Sequence, residues 1–414
     1  MEKVKKYGIR DFYFWKITIS LAFASFFVFA GLYVVQPLLP LYVEEFNVSV
    51  NMASYSLSMA IIGLIIGLIV LGFYSDRIGR TVFIKFSLIG SVIPCFMMPI
   101  LDSFTGIIVL RLLQGFALAG LPAASIAYIS EEVERKSIGV ATALYISFNA
   151  VGGIAGRVLT GYITYHYSWE NAFYFIGILG VIITAIVLVM LPKSQHFEPS
   201  NETFMKDIEG FFYHLRNPAL VLVFGIGIVL QLSFTGIWTY LPFYLGDEPF
   251  LLSIEAISYM YFAYALGVVG SPLAGWLSAR FGLDRVRNIG IFVLAIGAMI
   301  TFSQSLIMII IGLCILCLGF FTAHSLTATS VGEQATHHKG SASSLYLVAY
   351  YIGVTLGSSA VSPLWQMAGW GGVVILSAIL PVGYLLFVKI MSKWVQHRKA
   401  STNTKSSELQ HHIK

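Results

Sequence analysis

Three side chains able to carry a charge sit inside long apolar runs of this sequence. They are Arg111 in IIVLRLLQGFALAG, Arg157 in NAVGGIAGRVLTGY and His324 in GFFTAHS. A charged group held at hydrocarbon depth is costly, so each is a candidate for function before packing is considered. Arginine keeps its proton and can hold an anion, whereas histidine can exchange one near neutral pH. The 20 carboxylates all fall between the apolar runs or at their ends, so no buried acid stands ready to attract an organic cation. This pattern points to an anionic, zwitterionic or neutral polar ligand, with His324, or Glu131 and Glu132, moving any coupled proton. Two alternatives stay open on the residues alone: Arg111 as an arginine bonded to backbone carbonyls, and His324 as a packing residue.

A second set is GFYSDRIGRTVFI, beginning at Gly72. Gly79 permits a tight turn with positive φ, and Gly72 permits close helix approach. Asp76 can accept hydrogen bonds from a helix N-terminus, while Arg77 and Arg80 can pair with acids such as Glu131 and Glu132. Such a set can latch helix ends together in one conformation and release them in another, or it can be a turn whose arginines only set topology. Tyr33, Gln36, Gln231, Trp238, Tyr346 and Tyr350 add polar or aromatic groups within apolar runs, suited to orienting a ligand in an apolar pocket. No metal site is expected: Cys314 and Cys317 form a CxxC, but inside an apolar run it reads as small-residue packing.

The elements that position these residues follow from composition. Of 414 residues, 57% are apolar and only 11% charged, and the mean hydropathy is +0.81. A soluble fold cannot bury so much apolar surface, so most of it must face lipid. A soluble enzyme and a nucleic-acid-binding domain are thereby excluded. Twelve apolar stretches of roughly 20 residues are legible. They lie near 17–39, 53–74, 82–101, 104–128, 138–163 and 170–191, then 218–245, 253–278, 287–303, 305–330, 341–363 and 371–392. Apart from Arg111 and Arg157, every lysine and arginine lies before the first stretch, after an even-numbered one, or in the tail. Basic residues are retained on the cytoplasmic side, so both termini are expected inside the cell. The formal charge of +5 is then topology and not a nucleic-acid footprint.

The two halves also repeat each other. Leu39-Pro40-Leu41-Tyr42 returns as Leu241-Pro242-Phe243-Tyr244, and Gly72 as Gly275. Leu144-Tyr145, Gly152, Gly156 and Trp169 return as Leu345-Tyr346, Gly353, Gly357 and Trp370. A duplicated six-helix unit places a ligand site near the midplane between the halves. The expected organisation is an N-terminal segment 1–16, a six-helix bundle 17–192, a cytoplasmic linker 193–217, a second bundle 218–392 and a polar tail 393–414.

The segment from Gly72 resembles the GxLaDrxGrk pattern of the major facilitator superfamily, with Tyr74 and Thr81 as departures. Its second copy, GWLSARFGLD from Gly275, has Ala279 in place of Asp76. Arg111, Gln114 and Gly115 resemble the family's RxxqG motif, which implies that Arg111 faces a central cavity and helps to move protons or hold an anionic group. Gly152, Gly156 and Gly161 resemble the GxxxGPxxGG motif of the drug-antiporter branch. Arg157 replaces its proline and Thr160 a glycine, which weakens any transfer of ordinary cationic-drug antiport. These glycines are expected to pack against the eighth stretch. YISFNAVGGIAGR, GFFTAHS and KGSASSLYLVAYYIG carry a further likeness to the YnfM-type inner-membrane transport proteins.

The resemblance implies an all-α integral membrane fold, with twelve transmembrane helices in two pseudo-symmetric six-helix bundles. It also implies a secondary carrier of the cell membrane: an efflux permease for a small organic molecule, powered by the proton gradient, without other cofactor, working as a monomer in the lipid bilayer. Uptake or exchange of an organic anion or polar metabolite is the alternative that the buried arginines favour. A non-transporting sensor or receptor is the alternative of another class. No phosphate-binding loop, HExxH or nucleophile elbow suggests an enzyme.

Overall fold

The computed structural model describes residues 6–201, 203–335, 337 and 339–411. The expected N-terminal segment and tail lie partly outside these. The described chain is helical, and its helices in order are α1 (Phe12–Glu45), α2 (Val50–Ile78), α3 (Arg80–Ile100), α4 (Phe104–Glu132), α5 (Ile138–His166) and α6 (Trp169–Met190). There follow α7 (Phe204–Leu215), α8 (Pro218–Gly246), α9 (Ile254–Phe281), α10 (Leu283–Ile300), α11 (Leu306–Gln334), α12 (Lys339–Thr355) and α13 (Ser362–His411). Among the described residues, ten helices are long and apolar enough to cross a membrane. The two other stretches expected to cross are α10, which opens with Asp284, Arg285 and Arg287, and α12, which a π-turn at Leu356–Ala360 links to α13. Gly369, at φ +56°, breaks the helical path of α13 near the expected boundary between the last two stretches.

Local chemistry explains several starts and stops. Ser49, Ser168 and Ser253 each cap a helix by accepting from the backbone N–H three residues on, and Asn217 caps α8 just before Pro218. The turn between α2 and α3 passes through Gly79 at φ +131°, and its repeat between α9 and α10 passes through Gly282 at φ +90°. Both copies need a residue without Cβ at that point. One element was not expected: the segment 193–217 contains the helix α7, whose sequence FMKDIEGFFYHL sets apolar residues at helical spacing.

Each half builds a core, and Tyr351 and Val354 of α12 join that of the first half. One cluster joins residues such as Phe27, Leu64, Leu88, Tyr128 and Phe173, and another joins Phe234, Trp238, Leu294, Phe320 and Val374. The glycine pairs do not all pack as the motif suggested. Gly152 and Gly156 lie against the backbone of Phe26 and Ala30 in α1, and of this set Gly161 alone faces α9, at Ile254 and Ser258. The second half repeats the arrangement, with Gly353 and Gly357 against Ile228 and Leu232 of α8. The correction has a physical reason: the first two glycines and the third stand on different faces of α5, and only the third reaches the other half.

The halves meet at the end of the bundle away from Gly79 and the linker. There Ser58 of α2 hydrogen-bonds Ser358, at 2.8 Å, and Ser359 of the π-turn. Within the second half, the Tyr240 hydroxyl steadies that turn by donating to the Ser358 carbonyl at 3.1 Å. Between α5 and α9, Ser258 donates to the Val158 carbonyl and His166 faces Glu255 at 3.5 Å. Towards the opposite end, α9 is exposed at most positions from Ala265 to Phe281.

Candidate functional site

Arg157 stands where the halves converge. It is 3% exposed, and Nε donates to Gln36 Oε1 at 2.7 Å while a terminal nitrogen donates to the Gly153 carbonyl at 2.7 Å. Its guanidinium lies over three tyrosine rings, with centroids at 4.0 Å for Tyr33, 5.1 Å for Tyr261 and 4.8 Å for Tyr264. Tyr33 and Gln36 come from α1, and Tyr261 and Tyr264 from α9, so both halves build the cage. The 3-10 turn Met260–Tyr264 helps, because residues three apart eclipse one another in that geometry and Tyr261 and Tyr264 present the same face. No ion pair with a carboxylate is found for Arg157 among the described residues.

Trp238 does not line this space. It is fully buried behind the cage, with Tyr261 at 5.0 Å and Tyr264 at 4.7 Å from its ring, and its carbonyl accepts from the Tyr261 hydroxyl at 3.3 Å. Gln231 donates to Thr235 at 3.1 Å, and its buried Oε1 has no hydrogen-bond partner among the described residues. His324 forms a separate cluster in the second half. Its Nδ1 pairs with the Tyr346 hydroxyl at 2.8 Å, its ring lies parallel to Phe320 at 5.5 Å, and Tyr350 packs at 4.9 Å. This pair gives the imidazole a polar partner and no acid.

Arg111 is placed differently from the expectation of a cavity-facing residue. It is 0% exposed and bonded throughout to the first half: Nε to the Ser56 carbonyl at 2.9 Å, and its terminal nitrogens to the carbonyls of Gly31, at 2.9 Å, and Leu32, at 2.5 Å, and to Gln114 Oε1 at 2.5 Å. The reason lies in α1, whose α-helical run ends at Tyr33 before the 3-10 turn at Gln36–Leu38, so its last carbonyls, Gly31 and Leu32 among them, lack an intrahelical donor. Gln114, also 0% exposed, passes the network on to the Ser91 carbonyl at 3.2 Å.

The Gly72–Arg80 segment closes on its own half. Arg80 pairs with Asp76 and with Glu131, the latter at 2.9 Å. Arg77 donates to the Phe73 carbonyl at 2.8 Å and stacks on the Phe73 ring. Glu132 was expected among the arginine partners, yet it turns to the chain leaving α6. It accepts from Ser194 Oγ at 2.6 Å, from the N–H groups of Gln195 and His196 at 2.6 and 2.9 Å, and faces His196 Nδ1 at 2.9 Å. Two adjacent acids point about 100° apart around a helix end, so they find different partners. The Asp76 carbonyl accepts from the Ser200 N–H at 2.8 Å, so the same strap crosses the segment.

Sequence reasoning missed Tyr261, Tyr264, Ser58, Ser358 and His196. For the tyrosines a signal existed in SYMYFAY, three tyrosines at 259, 261 and 264 within one apolar stretch. For the serines none did.

This paired-bundle architecture, with a polar cage between two repeated halves, is that of a membrane carrier, and comparison with known proteins agrees. The sequence profile of the Major Facilitator Superfamily matches residues 21–253 and 248–413. YybF, an MFS-type transporter of Bacillus subtilis strain 168, is 34% identical over 382 residues, covering 92% of this chain and 93% of its own. The inner membrane transport protein YnfM of Escherichia coli K12 is 33% identical over 373 residues, covering 90% and 89%. A mutant of the nucleoside transporter NupG shares the fold, with a TM-score of 0.75 at 15% identity over 91% of this chain and 99% of that one. A bacterial homologue of the human lysosomal transporter Spinster, in an inward-facing conformation, has a TM-score of 0.72 at 16% identity over 92% of this chain and 95% of that one. The chain belongs to the major facilitator superfamily. It is a multi-pass membrane transporter resembling the YnfM-type subgroup.

Proposed function

We propose that this chain is a twelve-helix, proton-coupled efflux permease of the cell membrane. Both termini are cytoplasmic, and it moves a small organic molecule by alternating access of the bundles 17–192 and 218–392. It acts as a monomer in the bilayer, needs no cofactor beyond the proton gradient and binds no nucleic acid. The observation that carries this reading is the asymmetry of the contact between halves. α5 meets α9, and α2 meets the π-turn, at the end away from the linker, and α9 is exposed towards the linker end. A carrier whose site opens to the cytoplasm has this form. The export direction draws on the likeness to YnfM-type proteins. A proton route through His324 is supported by its contact with Tyr346 beside the other aromatic rings.

The deciding experiment uses everted membrane vesicles with an imposed proton gradient read by a pH-sensitive dye. Lipophilic cations are added in one series, and organic anions and polar metabolites in another. Substrate-dependent proton release that requires the protein is the expected result; no response in either series removes the proton-coupled export reading.

Two variants probe parts of the cycle. His324→Gln keeps a polar side chain but cannot titrate, so proton release should disappear while substrate exchange without a gradient persists. Intact proton-driven transport in this variant would move the coupling to another group. Asp76→Asn should weaken the pairing with Arg80, which is formed within the first half in this conformer, open at the linker end. If that pairing holds the open conformer, cysteines placed at that end of α5 and α9 should label more slowly in Asp76→Asn than in the parent, and equal rates would count against a latch.

A further inference from the structure

The geometry points to an organic monocarboxylate with a flat, apolar body as the ligand of the Arg157 cage, an assignment that rests on the transport reading above and narrows its substrate.

Two buried arginines allow an internal comparison. A guanidinium has five N–H donors. In Arg111 four hydrogen bonds tie all three nitrogens to the first half, which leaves one N–H and no pair of donors for a two-point acceptor. In Arg157 only the bonds to Gln36 and Gly153 are present, although the residue is 3% exposed. The remaining donors include both hydrogens of one terminal nitrogen, which forms part of an edge of the planar fork. The tyrosine rings crowd the guanidinium, with centroids 4.0, 5.1 and 4.8 Å from its carbon, and the unbonded nitrogen offers its two N–H groups along one edge of the fork. An edge-on, two-point acceptor of planar shape is a carboxylate.

Charge balance restricts the ligand further. Arg157 is the one cation in contact with these rings among the described residues, and no carboxylate neutralises it. One negative charge from the ligand would complete the pair in a space of low polarity. A dianion such as a phosphate monoester would bring an uncompensated charge there. The walls supply the rest of the preference: Tyr33, Tyr261 and Tyr264 around the guanidinium favour a flat apolar group next to the carboxylate. The rings come from both halves, so a bound carboxylate links the segments that must separate when the far end opens.

The test compares phenylacetate with phenylacetamide, which has nearly the same shape and no charge, and with tetraphenylphosphonium. Binding to the purified full-length protein is read by thermal shift and tryptophan fluorescence. Counterflow in proteoliposomes is read at pH 8 against protein-free vesicles. Phenylacetate should bind and exchange, and the amide should bind at least about 30-fold more weakly, as expected for loss of one partner of a buried charge pair. Arg157→Gln should abolish the preference for acid over amide. Arg157→Lys, which keeps the charge without the fork, should retain part of it. If Arg157→Gln does not fold, the acid–amide comparison in the parent protein and the lysine variant decide. Equal binding of acid and amide, preferential binding of the cation, or no binding of phenylacetate overturns the assignment; exchange of the cation or amide in those cases leaves the transport reading standing. Binding of phenylacetate without counterflow would have the opposite meaning, since the site would stand and the transport reading would fall.

Discussion

Replacing Gly152 and Gly156 together by valine is expected to leave almost no folded protein in the membrane. A Cβ at Gly156 would stand 2.5 Å from the carbonyl oxygen of Ala30, and a Cβ at Gly152 would meet the carbonyl of Phe26 still more closely. Both obstacles are backbone atoms of α1, so no rotamer change relieves them and the helices must move apart. Overpacking in a core costs about 1–3 kcal/mol where side chains can yield, and more where they cannot. Separating α1 from α5 would also displace Gln36 from Arg157 and so damage the cage. Gly353 and Gly357 repeat the contact against α8, each with a Cβ position 2.5 Å from a carbonyl oxygen, so their valine variants should fail in the same way. Gly139 is the matched control on the same helix as the first pair. Its Cβ position has no atom within 4 Å, and alanine there should be neutral or stabilising by up to about 1 kcal/mol. Size-exclusion profiles of fluorescently tagged variants, with unfolding temperatures, read all of these. A monodisperse Gly152→Val/Gly156→Val protein with the parent's unfolding temperature would show that α1 and α5 do not meet as described.

Arg111→Leu should lower stability by about 3–5 kcal/mol, comparable with breaking a buried charged network. The change removes four hydrogen bonds at once, and the carbonyls of Gly31 and Leu32 lose a donor at the point where α1 departs from regular helix. Arg111→Lys should rescue little, because an ammonium is a point donor and cannot reach acceptors on α1 and α2 together. Arg157→Gln should differ in kind: it gives up two bonds in a space between the halves, so the unfolding temperature should change little while transport is lost. The two arginines are thus separated by one pair of measurements, stability and flux. A stable Arg111→Leu protein that fails to transport would return Arg111 to the transport pathway and refute its scaffold role.

Much of the architecture was legible because it answers to the solvent. A run of about 20 apolar residues has few stable places except a lipid-facing or bundle-facing helix, and the lysines and arginines other than Arg111 and Arg157 gather around the breaks between such runs. The Gly79 turn was legible for a related reason, since positive φ leaves few residue types to choose from, and the structure adds its repeat at Gly282. The helix at Phe204–Leu215 escaped notice because its charges match those of a solvated linker, and only the spacing of its apolar residues separates the two.

Partners were not legible. Arg111 and Arg157 look alike in sequence, each an arginine inside an apolar stretch beside glycines. Arg111 is satisfied by carbonyls about 80 residues away, which a break in α1 makes available, whereas Arg157 meets Tyr261 and Tyr264 from the other half. Glu131 and Glu132 differ by one position and, by helical geometry, by about 100° in direction. One therefore finds Arg80 and the other the strap at Ser194–His196. The sequence by itself determined the all-helical class and the ten described helices long and apolar enough to cross a membrane, because these depend on transfer between water and lipid, a property of each residue. The tertiary structure alone decided which buried arginine is bonded through all three nitrogens within one half and which stands between the halves with two bonds. That depends on hydrogen bonds between helices far apart in the chain, and no single residue carries a record of its neighbour.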